Sequence, residues 1–288
     1  MKQIPLFFCS LALIFTAQTT SLAQFVATDY THFAVETATK NTLILVEQGD
    51  STYNRALRKA AADWKLTKVQ VLSEAAALKK LPDHNYSFFV PLDVSVKAAN
   101  GVSAKHYFIA IVNGGKKAWT SYTYTDIVAY APLDHFGNEK NSVEAGYRIA
   151  LLLGSLNDAF RTATVKKIMK GKNGTLDAFV GIYNRRAVAL KGMTLLMPQY
   201  YLDKTAQAAF AKQYPYPSKQ IADIATLKTT LLKPNPKTAV FFLSRSLNKH
   251  IFVLDAITGK VLYSDLYTND APLNAADLAR FCRVAQGK

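Results

Sequence analysis

Residues 105–115 read KHYFIAIVNGG, and residues 249–259 read KHIFVLDAITG. Each opens on Lys-His, continues as a run of β-branched and aromatic residues, and ends in a glycine turn. That is the pattern of a strand entering a hairpin. Outward from this pair, further words match in the same order. FVATDYTHFAV (25–35) meets FVGIYNRRAV (179–188), and KNTLILV (40–46) meets KGMTLLM (191–197). DSTYNRALRK (50–59) meets DKTAQAAFAK (203–212), and YSFFV (86–90) meets AVFFL (239–243). YTD at Tyr124 meets YTND at Tyr267, APLD at Ala131 meets APLN at Ala271, and Trp119 meets Tyr263. The offset stays near ~152 residues at first and falls to ~140 at the end, so the second copy lacks a few loop residues. The expectation is a tandem duplication, with residues 24–170 as a first α/β domain and 171–288 as a second.

Each half reads as a folding unit. TLILV is a short apolar run of buried-strand type, and Asp50 caps a following helix whose apolar stripe is Tyr53, Ala56, Leu57 and Ala60. KVQVL (68–72) alternates as a second strand, and SEAAALKKL (73–81) is a short helix ended by Pro82. YSFFVPL is a third strand. KHYFIAIVNGG then turns through Asn113-Gly114-Gly115 into KKAWTSYTY (116–124) as a hairpin. Asn141-Ser142 with Glu144 signals the start of a long helix over 143–170, and Asn274 caps a closing helix. Strand–helix–strand–helix–strand–hairpin–helix implies a mixed sheet with helices packed against it. The order resembles the thioredoxin-like arrangement. A Cys-x-x-Cys after the first strand would fall near EQGDSTY or PQYYLDK, where there is no cysteine, so thiol–disulfide exchange is excluded.

The ends and the charge bear on location and partners. Met1-Lys2, the apolar LFFCSLALIFTA (6–17) and Ser21-Leu22-Ala23 form an export signal over residues 1–23, too short to span a bilayer. IALLLGSL (149–156) suits a buried helix rather than a span. Past the signal, Cys282 is the one cysteine, so no internal disulfide forms. Residues 24–170 carry 18 Lys/Arg against 13 Asp/Glu, whereas residues 171–288 carry 16 against 7 and no Glu. A basic second half points to an anionic partner: an envelope protein face, a glycan or a lipid.

Catalytic motifs are sparse. LGSLN (153–157) lacks the second glycine of a nucleophile elbow. GKNG (171–174) follows a helix rather than opening one, unlike a phosphate-binding loop. DHFGNE (134–139) gathers two carboxylates and a histidine, but the second half replaces it with NAAD, so a capping loop is expected and no metal or other cofactor. Arg185-Arg186 is the one Arg pair, and basic residues are not interleaved with aromatics as nucleic-acid binding requires. Asp50-Ser51-Thr52 is similar to the O-glycosylation signal of exported Bacteroidota proteins. With the export signal and the Tyr-rich α/β pattern, the chain resembles uncharacterised periplasmic proteins of that phylum, a likeness that carries no catalytic motif.

The sequence therefore implies an exported, periplasmic, non-catalytic binding protein. Its candidate ligand residues are Lys105, His106, Lys249, His250, Arg185 and Arg186, on the basic half or in the groove between domains. The alternative is a hydrolase in that groove, using His106, His250, Asp134 or His135.

Overall fold

The computed structural model describes residues 38–48, 51–97, 103–123, 126–132, 143–166, 175–244, 249–267 and 272–288. The export segment, Asp50, the DHFGNE loop, Asn141-Ser142 and GKNG lie outside them.

In the first half, β1 (Thr42–Glu47), α1 (Ser51–Asp63), β2 (Val69–Ser73), α2 (Glu74–Lys80), β3 (Tyr86–Lys97), β4 (Ser103–Asn113), β5 (Ile127–Pro132) and α3 (Val143–Lys166) follow one another. The second half runs α4 (Thr175–Arg186), β6 (Thr194–Pro198), α5 (Lys204–Gln213), β7 (Lys219–Ala222), α6 (Ile224–Leu232), β8 (Thr238–Ser244), β9 (His250–Asp255), β10 (Val261–Leu266) and α7 (Ala275–Ala285). This is a mixed α/β protein with two five-stranded sheets, ordered β2-β1-β3-β4-β5 and β7-β6-β8-β9-β10. Directions agree as well as order. β1 is parallel to β2 and β3, as β6 is to β7 and β8, and both third strands enter antiparallel pairing with the next.

Local chemistry explains the boundaries. Ser73 accepts from the Ala76 N–H to start α2, and Asp203 and Asp223 do the same for Ala206 and Thr226 at α5 and α6. Asn274 and Asp277 form a reciprocal capping box at α7. Each cap satisfies amides that have no partner within the helix.

One expected strand is not a strand. KKAWTSYTY does not return along β4: Trp119–Ser121 is a 3-10 turn, and β5 begins only at Ile127. The Trp119 ring sits edge-on over Phe88 at 5.4 Å, and the Tyr122 hydroxyl donates to the Asn113 carbonyl at 2.8 Å. Two aromatics folded onto the sheet face outweigh extended pairing, because burial of a large ring gains more than one ladder bond.

The faces of the sheets fix how the halves meet. On β1, Leu43 and Leu45 pack with Tyr53, Leu57 and Ala60 of α1, while Ile44 and Val46 pack with Ala77 of α2. On β6, Leu195 and Met197 pack with Ala206 and Phe210 of α5, while Leu196 joins Leu227 and Leu231 of α6. The α6 side of the second sheet shares one continuous apolar cluster with the α1 side of the first. Helix α3 lies within that cluster through Leu151, Leu152, Leu153, Leu156, Ala159 and Phe160. IALLLGSL is apolar nearly all round because it is covered from both halves, and among the described residues no helix is long and apolar enough to cross a membrane.

Matching the α1 face to the α5 face also sets a register between the sheets. Thr42 pairs with Tyr86 as Thr194 pairs with Thr238, and Phe89 pairs with Ile111 as Phe241 pairs with Val253. In that register His250 takes the place of Phe108, so the two Lys-His words lie two residues out of step. YSFFV and AVFFL are out by one, since Phe88 and Phe241 occupy opposite faces. A slip of two preserves every face and a slip of one reverses it, which is why alternation hides the first error from a reader of sequence.

Candidate functional site at the domain junction

The structure scatters the residues singled out by sequence. Lys105 and His106 are placed on β4 opposite Ser95 and Val94; their side chains lie outside the described part of the structure. Lys249 is buried and its ammonium donates to Asp277 Oδ2 at 2.7 Å, with the Tyr267 ring 4.4 Å away. His250 is buried beside it, Nε2 lying 2.8 Å from Ser264 Oγ. Arg185 is exposed. Arg186 turns inward: its guanidinium donates to Asp158 Oδ2 at 2.5 Å, to Thr162 Oγ1 at 3.1 Å and to the Val261 carbonyl at 3.0 Å. Lys249 and His250 thus spend their polar atoms on the interior of the second half, and Arg186 spends its own on the junction.

His250 illustrates the consequence. Burial pulls its imidazole from a pKa of 6.5 down to about 3, so it is neutral in the native protein at ordinary pH. The unfolded chain takes up that proton below about 6.5 and the native chain does not until about 3. Stability is therefore full above pH 6.5 and falls as pH drops towards 3, with a limiting slope of about 1.4 kcal/mol per pH unit. His250→Gln, which keeps a polar group beside Ser264, should flatten the acid limb of the Tm–pH curve in that window. Superimposable limbs for the two proteins would mean that the native state already protonates His250.

What the structure does assemble is a cleft of about 640 Å³ where the halves meet. Its first wall is the end of α1, with Lys59, Ala60, Asp63 and Trp64. Its back is α3, from Leu151 to Thr162. The second half supplies Arg186, Leu231 and Pro234 at the end of α6, and the β9–β10 turn from Ala256 to Thr258 with Lys260. The stripe Tyr53, Leu57, Ala60 and Trp64 docks α1 on its sheet, leaving Lys59 and Asp63 on the flank. Trp64 donates its indole N–H to Thr67 Oγ1 at 3.1 Å, so the rest of the ring is an apolar surface.

The turn is fastened from both sides. Asp255 Oδ1 accepts from the Ile257 N–H, the Thr258 N–H and the Thr258 hydroxyl at 2.8–3.1 Å. Against α3 it meets Gly154, where a Cβ would come within 2.3 Å of the Thr258 carbonyl oxygen. Asp158 Oδ2 also accepts from the Val261 N–H at 3.2 Å, so the Asp158–Arg186 pair holds both backbone groups of Val261. LGSLN, which carries no nucleophile motif, supplies Gly154 to the contact between α3 and the β9–β10 turn.

Electrostatically the cleft is uneven. Arg186 and Asp158 neutralise one another. Lys59, Arg161 and Lys260 line the exposed rim and pair with no described residue, facing one similarly exposed carboxylate, Asp63. These cations escape a sequence reading because they come from α1, α3 and a hairpin turn, and each alone is an ordinary surface charge. The usable signals are indirect: a basic second half and the expectation of a groove between the two domains. Comparison of the chain with protein-family models, with curated proteins and with solved structures finds no match.

Proposed function

We propose that the protein is an exported, periplasmic, non-catalytic binding protein that holds an anionic ligand in the cleft between its two α/β halves. The observation that carries this reading is the trio Lys59, Arg161 and Lys260 around one pocket, each without a described counter-ion. With Asp158 and Arg186 paired, three cations face the single carboxylate of Asp63, and a cleft walled by low-dielectric protein with such an excess of positive charge concentrates anions. Its volume falls within the range of small-molecule sites, about 300–1,000 Å³. The export signal expected over residues 1–23 supports a ligand met in the cell envelope. The hydrolase alternative draws less support, because the described lining contains no histidine, serine or cysteine and His250 is buried and neutral.

The test uses the chain lacking residues 1–23. It is equilibrated with the anionic small-molecule fraction of an envelope extract, and retained species are identified by mass spectrometry. Wild type should retain a defined anion, and Arg161→Glu with Lys260→Glu should retain about tenfold less, since each reversal of an exposed charge is worth roughly 0.5–1 kcal/mol. Arg185→Glu, away from the cleft lining, should behave as wild type. Equal retention by the double reversal would sink the proposal.

A further inference from the structure

Resting on the anion-binding reading, we infer that the cleft selects an amphipathic anion: a single carboxylate, sulfate or sulfonate head on an apolar body. The cations and the apolar surface occupy different parts of the same cavity. Lys59, Arg161 and Lys260 are exposed at the rim, whereas Trp64, Leu151 and Leu231 form a buried floor. Ile257, 48% exposed on the β9–β10 turn, extends the apolar surface towards solvent.

The division matters because neither part suffices. Exposed cations bind a bare inorganic anion weakly, since water solvates both partners and salt screens them beyond about 10 Å. The floor gives a body to bury, and each apolar ångström squared removed from water adds about 25 cal/mol. Asp63 acts in the opposite sense on the same rim, and repels a chain of charges more than a single head. The ligand class that satisfies floor, rim and Asp63 together is a small monoanion with an aryl or acyl body.

The probe set is 2-naphthalenesulfonate, its neutral sulfonamide and inorganic sulfate, titrated calorimetrically into the chain lacking residues 1–23. The protein has two tryptophans, and Trp119 packs on Phe88 in the cluster of the α2 face. A Trp119→Phe variant therefore leaves the Trp64 indole N–H as a single nuclear magnetic resonance reporter of the cleft. The sulfonate should bind at least tenfold more tightly than either comparator and shift the Trp64 signal. Arg161→Gln and Ile257→Ser, both at exposed positions, should each weaken it several-fold.

Equal binding of sulfate would overturn the amphipathic inference and leave the anion-binding reading standing. Equal binding of the sulfonamide, or no binding by any of the three, would overturn both. Heat released without a shift at Trp64 would mean the probe binds elsewhere, and the inference would fall.

Discussion

Asp277→Ala should cost about 3–5 kcal/mol of unfolding free energy, the loss expected when one partner of a buried ion pair is removed. The Lys249 and Asp277 side chains are 2% and 5% exposed, and their charged atoms meet at 2.7 Å. Without the carboxylate the Lys249 ammonium remains in the interior, with the face of the Tyr267 ring as its described neighbour. Asp277 also serves the helix that carries it. Its Oδ2 accepts from the Asn274 N–H at 2.9 Å, closing the capping box of α7, and loss of a cap costs about 1 kcal/mol on its own. Denaturant unfolding of Asp277→Ala, Lys249→Met and the double variant Lys249→Met, Asp277→Asn makes the argument quantitative. The double variant should recover most of the loss, because no buried charge is left unpaired and the amide oxygen can still cap α7. A contrast lies on the surface. Glu47 and Arg58 also pair, but the Arg58 side chain is 66% exposed, so Arg58→Ala should change stability by less than about 1 kcal/mol. If Asp277→Ala were as mild as Arg58→Ala, the Lys249 ammonium would have to be reaching water.

Much of the fold is legible from residues alone. The order of the first half through β4 follows from apolar runs, caps and glycine turns, and the cap at Asn274 is where the side-chain chemistry puts it, whereas α4 and β5 carry no such signal in the words read. The misreadings are tertiary. KKAWTSYTY has the composition of a strand, but Trp119 and Tyr122 gain more by covering Phe88 and Asn113 than by pairing with β4. The Lys-His words match as text and miss by two residues as structure, because sheet register is set by which face meets which helix. Their functional reading suffers for the same reason. Lys249, just before β9, reaches Asp277 of α7 and His250, at the start of β9, reaches Ser264 of β10; both are buried, where a charged or polar side chain needs an internal partner. Arg186 reads as half of a surface Arg pair, yet Asp158 lies on another helix and only folding brings the two together. Of the cleft itself, the sequence implies only a groove between halves. Its cations are invisible beforehand because local sequence does not encode proximity among three distant elements.

Gly154→Ala is a test in which two principles predict opposite signs. In the middle of α3, exchanging glycine for alanine should stabilise by about 1 kcal/mol on helix propensity alone. The junction argues the reverse. A Cβ at Gly154 would stand 2.3 Å from the Thr258 carbonyl oxygen and 3.1 Å from Gly259 Cα, backbone atoms that cannot swing aside as a side-chain tip would. The turn is also poorly able to retreat. Asp255 holds the Ile257 and Thr258 amides, the Gly259 N–H donates to the Asp255 carbonyl at 2.9 Å, and Gly259 sits at φ +68° with its own Cα side against the Leu151 carbonyl. Overpacking should therefore prevail, with a net loss of about 1–3 kcal/mol. Gly192→Ala provides the control, since a Cβ there meets nothing within 4 Å and φ is not positive; it should be neutral or stabilise by about 0.4–1 kcal/mol. Because Gly154 and Thr258 both line the cleft, the displaced turn should also weaken 2-naphthalenesulfonate binding, whereas Gly192→Ala should not. A stabilised Gly154→Ala with unchanged binding would mean that α3 and the β9–β10 turn are not in contact, and the cleft would lose the wall that carries Ile257 and Lys260.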